Sequence, residues 1–231
     1  MDKEKVIFVL DIGTRSVVGL VASAEGKQLT IIGEHTVFHK TRAMIDGQIH
    51  DIDKVAEAVM EVRQALQAKT GMDLERVAIA AAGRVLKTSK IKVSMEIDPQ
   101  KVIDDEMIHG LEIEGIEKAY KEVNNHFKQD KTLFHCVGYS VVGYYLNDYV
   151  LTSLKGHKGM KMGVEVLATF LPQEVVDSLY TVVKKCGMTV SNMTLEPIAA
   201  INVAIPEKYR LLNLALVDIG AGTSDIAITS K

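Results

Sequence analysis

At 231 residues the chain can bury one large core or two small ones, and 47% hydrophobic with 25% charged residues is an ordinary globular composition. A net charge of −3 supplies no basic face, which excludes the usual nucleic-acid binder, so no nucleic-acid partner is expected. The two cysteines, Cys136 and Cys186, lie in apolar runs and are expected reduced and buried; Asp11 stops the first apolar run far short of the ~20 residues of a spanning helix, so the expected location is cytoplasmic.

Three Val- and Ile-rich segments come first: Val6–Leu10, Val17–Ala22 and Leu29–Phe38. Gly13-Thr14-Arg15 and Glu25-Gly26-Lys27 separate them, which predicts a β-meander. Val55, Val59, Val62 and Leu66 then recur at helical spacing, with Asp51 or Asp53 as a cap and Gly71 as a stop, predicting a helix from about Asp53 to Lys69. Val77–Ala82 reads as a buried strand closing at Gly83.

From Lys87 the character changes. Lys87–Ile97 alternates, Asp104–Val123 reads as a charged amphipathic helix, and Phe134–Val142 with Tyr144–Thr152 reads as a strand pair. Five of seven tyrosines fall between Tyr120 and Tyr149, which marks a separate α+β module ending in a flexible basic loop, Lys155–Gly163. The first pattern then resumes with a strand at Val164–Phe170, a helix opened by Pro172, a strand at Val190–Leu195, a short helix at Pro197–Ala204 and a strand at Leu211–Val217. The expected division is 1–86 with 164–206 as one subdomain, 87–163 as an inserted one, and 207–231 as the start of a second half.

Two segments repeat one design: Asp11-Ile-Gly13-Thr14-Arg15-Ser16, and Asp218-Ile-Gly220-Ala-Gly222-Thr223-Ser224-Asp225. Each is an apolar strand, an Asp at its end, a Gly and hydroxyl turn, and a second apolar strand. With Asp11 and Asp218 207 positions apart, they read as two halves facing a cleft rather than as a solenoid period. Glycine allows backbone N–H groups close to phosphate oxygens, and consecutive N–H groups in a turn form an anion nest. Mg²⁺ keeps most of its waters and takes one or two carboxylates, so Asp11 and Asp218 can flank a hydrated ion. Neither a Walker loop nor a Rossmann fingerprint occurs.

These paired hairpins resemble the phosphate 1 and phosphate 2 motifs of the actin, heat-shock chaperone and sugar kinase superfamily. Leu195-Glu196-Pro197-Ile-Ala199-Ala200 resembles its connecting helix. Two features resemble the FtsA branch. Only His39 to His50 join Phe38 to the first helix, where actin and the chaperones carry a subdomain, and the module comes after Gly83, where FtsA carries its subdomain 1C (an SHS2 domain). Asp46-Gly47-Gln48-Ile49, Ala80–Gly83, Lys158-Gly159-Met160 and Gly187-Met188 are similar in wording as well.

The resemblance implies an α/β fold: an actin-like, ribonuclease H-like ATPase half with an inserted small α+β subdomain. It implies ATP and Mg²⁺ as cofactors. Asp11, Gly13, Thr14, Arg15 and Ser16 would grip phosphates from one side and Gly220, Gly222 and Thr223 from the other, while Asp11 and Asp218 hold the metal. Glu196 and Asp218 carry the catalytic roles, Glu196 by orienting water. Expected partners are copies of itself in filaments, the tubulin-like protein of the division ring and other division proteins. Membrane contact is expected only through a segment that this chain lacks, and ATP turnover is at most slow. A pilus-assembly relative of the FtsA group, a sugar kinase and a scaffold that binds nucleotide without hydrolysis stand as alternatives. Arg15 brings a charge where the family commonly has a small or hydroxyl residue, and either meets a phosphate or faces solvent.

Overall fold

The computed structural model describes residues 6–26, 28–81, 86–127, 131–210 and 212–229. Lys27, Ala82, Gly83 and Leu211, which the expectations above invoke, lie outside these described residues. The chain divides into two compact units, one holding Met1–Arg84 with Glu174–Lys231 and the other Val85–Gln173.

In the first unit β1 (Val6–Ile12), β2 (Ser16–Glu25) and β3 (Gln28–Phe38) form the antiparallel meander. Two short strands, β4 (Met44–Ile45) and β5 (Gln48–Ile49), turn through Asp46 and Gly47, both at positive φ. Helix α1 (Ile52–Thr70) follows, and β6 (Arg76–Ala81) then joins β1 in parallel.

Asp51 caps α1, its carboxylate accepting from Lys54 N–H at 3.1 Å, and Gly71 ends it in the left-handed region at φ 68°. The helix lays Val55, Val59, Val62 and Leu66, all fully buried, on the meander. Each such side chain is worth roughly 1.5–3 kcal/mol against exposure. Close approach of helix and sheet depends on Gly19, where a Cβ would come within 2.4 Å of Val62 Cγ1.

The second unit is a four-stranded antiparallel sheet. β7 (Lys87–Glu96), β8 (Phe134–Leu146), β9 (Tyr149–Leu151) and β10 (Lys161–Pro172) take the order β7-β10-β8-β9. Helix α2 (Asp105–His126), capped by Asp104, covers one face. Two clusters fill the space between: Val93, Ile103, Leu111, Leu154, Met162, Val164 and Val166 in one, Ala119, Val123, Phe134, Ala168 and Phe170 in the other.

Three expectations change here. The strand containing Val164–Phe170 is flanked on both sides by β7 and β8, so it is the middle of the module's sheet and not a strand of the first subdomain. Phe134–Leu146 is one strand that turns at Asn147 and Asp148, not at Gly143. Both turn residues have positive φ (49° and 70°), as a two-residue hairpin matched to strand twist requires. The basic loop is tied down: Gly156 N–H donates to Ile103 O at 2.9 Å, and Ile103 N–H to His157 O at 2.9 Å.

The chain re-enters the first unit through α3 (Gln173–Lys185), then β11 (Thr189–Leu195), which pairs with β6 in parallel and completes the order β11-β6-β1-β2-β3. Pro172, expected to open α3, is instead the last residue of β10. α3 is bonded to α1: Arg63 Nη1 donates to Cys186 O at 2.7 Å, the Cys186 thiol to Ala56 O at 3.3 Å, and Lys185 pairs with Asp53. Cys186 is buried as expected, whereas Cys136 is only half-buried; both are free thiols. Helix α4 (Glu196–Ala204), a 3₁₀ turn (Glu207–Tyr209) and the hairpin of β12 (Leu214–Ile219) with β13 (Ser224–Thr229) follow.

Candidate functional site

The two Asp-Ile-Gly segments fold alike. Gly13 N–H donates to Ser16 O at 3.0 Å, and Gly220 N–H donates to Thr223 O at 2.9 Å, so each turn closes with the same bond. A Cβ on Gly13 or Gly220 would come within 3.3 or 3.2 Å of the accepting carbonyl, a tight contact that a glycine avoids. Since Gly13 and Gly220 spend their N–H groups on the turn, they shape it. The turn residues left outside the closing bond are Thr14, Arg15, Ala221 and Gly222.

The tips of the hairpins meet. A Cβ on Gly222 would come within 2.7 Å of Thr14 Oγ1. The same Thr14 hydroxyl accepts Gly47 N–H at 3.0 Å, so its own proton is free to be donated elsewhere. His39 braces the first turn from behind: its Nε2 lies 3.1 Å from Gly13 O, which can only accept, so this nitrogen carries the proton. Arg15 is engaged with Phe38, its guanidinium lying 5.2 Å from the ring centroid. Ser16 begins β2 and pairs with Phe38.

Carboxylates gather behind the tips. Asp11 stands at the end of β1 and Glu196 at the start of α4, while Asp218 and Asp225 face each other across β12 and β13. Like charges directly opposite on a hairpin destabilise it, and Asp225 is held above the ordinary carboxylate range by burial and then by Asp218. Asp11 is open to water yet crowded by the surrounding protein. That crowding, followed by Asp218, raises its carboxyl too. Glu196 is pushed up to about 8, by burial first and then by Asp11, Asp225 and Asp218. Every neighbour that shifts Glu196 is acidic.

A cavity of about 470 Å³ opens on Gly220, Ala221, Gly222, Thr223, Ser224, Asp225 and Asp46. Turn N–H groups and hydroxyls suit phosphate oxygens, and clustered acids suit a divalent cation. Among the described residues no three Asp, Glu, His or Cys groups are placed to ligate one ion directly. Asp11 and Asp218 are carboxylates of the kind that would accept hydrogen bonds from the waters of a hydrated Mg²⁺.

The sequence reading missed Asp225, Asp46 and His39 as members of this group. Asp225 had a signal. A turn closed between Gly220 and Thr223 puts Asp218 opposite Asp225, whereas the first hairpin has Val18 opposite Asp11.

No family model matches the chain. Its sequence is similar to the cell division protein FtsA of Pseudomonas aeruginosa, at 26% identity over 235 residues, covering 98% of this chain and 52% of that protein. FtsA of Streptococcus pneumoniae gives 23% identity with 98% and 48% covered, and FtsA of Escherichia coli 23% with 97% and 51%. The chain is thus similar to FtsA over nearly its whole length. It spans about half the length of the curated relatives that it matches. In fold it is similar to the structure of a PilM-PilN type IV pilus biogenesis complex, with a TM-score of 0.66 at 14% identity, covering 96% of this chain and 57% of that one. The likeness bears out the expected actin-like α/β fold. Among the described residues no helix is long and apolar enough to cross a membrane.

Proposed function

We propose that this FtsA-like chain binds Mg-ATP between its two Asp-Ile-Gly hairpins and uses the bound nucleotide to control assembly into filaments that connect cell-division machinery to the membrane. The observation that carries the reading is the meeting of the two hairpin tips, Thr14 against Gly222, with four carboxylates behind them. Thr14, Gly222 and Thr223 hold phosphate oxygens; Gly13, Gly220 and Ser16 give the turns their shape; Asp11 and Asp218 hold the metal's waters. When bound, Mg²⁺ neutralises phosphate charge. Glu196, held protonated to higher pH than an ordinary carboxyl, orients water and turns over slowly. Arg15 is kept off the phosphates by Phe38 until nucleotide competes for it.

By likeness to FtsA, the Val85–Gln173 unit is subdomain 1C and carries contacts to neighbouring subunits and to division proteins, the tubulin-like ring protein among them, on the cytoplasmic face of the membrane. The test pairs pelleting in Mg-ATP and Mg-ADP with phosphate release in the presence and absence of candidate sugars. Nucleotide-dependent polymers with sugar-independent turnover support the reading. Sugar-dependent ADP formation without polymers overturns it in favour of a small-molecule kinase.

A further inference from the structure

The Asp46-Gly47 turn has no part in the proposal above, although it stands at the same cleft. Gly47, at φ 76°, donates its N–H to Thr14 Oγ1 at 3.0 Å. Its neighbour Asp46, half-buried at φ 52°, lines the 470 Å³ cavity opposite the whole second turn, Gly220 to Asp225. Aspartate is among the few non-glycine residue types that adopt positive φ with any frequency, so the turn suits this side chain. The turn is fixed at its far side as well, because His50 and Asp51 both donate their N–H groups to Ala43 O, at 2.9 and 3.0 Å.

We infer that Asp46 is a specificity residue of the phosphate site, selecting metal-complexed over metal-free polyphosphate. The inference rests on the Mg-ATP reading above. The rest of the cavity wall is Gly220, Ala221, Gly222, Thr223 and Ser224, with Asp225 as its other charge. A metal-free triphosphate entering there meets the negative charge of Asp46 and is repelled. A triphosphate that carries a hydrated divalent ion presents metal-bound water as a donor, and the Asp46 carboxylate accepts from it. One group thus penalises the wrong form and rewards the right one. Asp46 is a positioning residue for the ion's hydration shell and touches no reacting atom.

The experiment is calorimetric titration of ATP into wild-type chain and Asp46→Asn, each with Mg²⁺ and again with EDTA. Asparagine tolerates positive φ, so the turn is preserved. The expected result has opposite signs. Asp46→Asn weakens Mg-ATP about tenfold, the worth of one charge-assisted hydrogen bond, and leaves metal-free ATP unchanged or a few-fold tighter. Equal weakening under both conditions assigns Asp46 a merely structural role and overturns the inference, as does no change in either. A wild-type chain that binds no nucleotide under either condition fails one level earlier, at the Mg-ATP reading, and takes this inference down with it.

Discussion

A methyl group placed on Gly222 would stand 2.7 Å from the Thr14 hydroxyl and 2.8 Å from the Thr14 methyl, so the two hairpins approach each other as closely as a glycine allows. Gly222→Ala must therefore push the tips apart. We expect Mg-ATP affinity to fall by about tenfold or more, with a small change in thermal stability because both hairpins keep their own closing bonds. Nucleotide titration beside a melting curve checks this, and undiminished affinity would show that the tips need not meet for binding.

Glu196 gives the chain a pH signature. Its carboxyl is raised from 4.5 to about 8, so the folded chain keeps a proton that the unfolded chain has already released. Below the unfolded value the group is neutral in both states and costs nothing; as pH rises through the window up to about 8, ionisation progressively penalises the folded state. Glu196→Gln should accordingly raise the melting temperature at about pH 9 and leave it nearly unchanged at about pH 4.5. An equal shift at both pH values would rule out a raised carboxyl as the cause. The same variant should retain Mg-ATP binding while losing phosphate release.

Gly19→Ala tests the packing of α1 on the meander. The added Cβ falls within 2.4 Å of Val62 Cγ1 and 2.8 Å of Leu66 Cδ1. Overpacking of this kind costs about 1–3 kcal/mol, measurable as a lower urea midpoint at unchanged slope. Adding Val62→Ala makes room for the methyl, so the double variant should be more stable than the sum of the two singles.

The two thiols should differ in reactivity. Cys186 is buried and donates to Ala56 O; Cys136 is half-buried; burial pushes both thiols up. Alkylation of the folded protein should label Cys136 first, and Cys186 should react at a comparable rate only in denaturant. Equal native rates would contradict the α1–α3 contact.

Much of this was legible in the residues because single-element signals are local. Val55, Val59, Val62 and Leu66 announce α1, and Asp51 and Gly71 bound it within a residue or two. The paired Asp-Ile-Gly turns were visible as a repeat. What failed was partner choice. Nothing in Val164–Phe170 says which strands flank it, and its neighbours, Thr88–Lys92 and Tyr139–Tyr144 among them, are fixed only by the sheet. Turn position failed at Asn147-Asp148 because the glycine at 143 is the louder signal, while the positive φ values belong to the Asn and Asp. In the sequence Asp46 is only one residue of Asp46-Gly47-Gln48-Ile49 ahead of α1, because its place beside the second turn depends on a fold contact.

The parallel pairing of β6 with β11 has a consequence for synthesis. β6 ends at Ala81 and β11 begins at Thr189, so 107 residues, 82–188, must leave the ribosome between them. At usual elongation rates that is about 5–20 seconds during which the β6 edge has no neighbour, and the whole Val85–Gln173 unit emerges in that interval. The nascent first unit therefore depends on the meander and α1, whose contacts are close in sequence, to persist until the edge strand β11 arrives. Asp218 emerges later still. A chain arrested before it would hold the first Asp-Ile-Gly hairpin with nothing for Thr14 to meet, so on the proposed Mg-ATP reading nucleotide capture would wait for the completion of this stretch of translation.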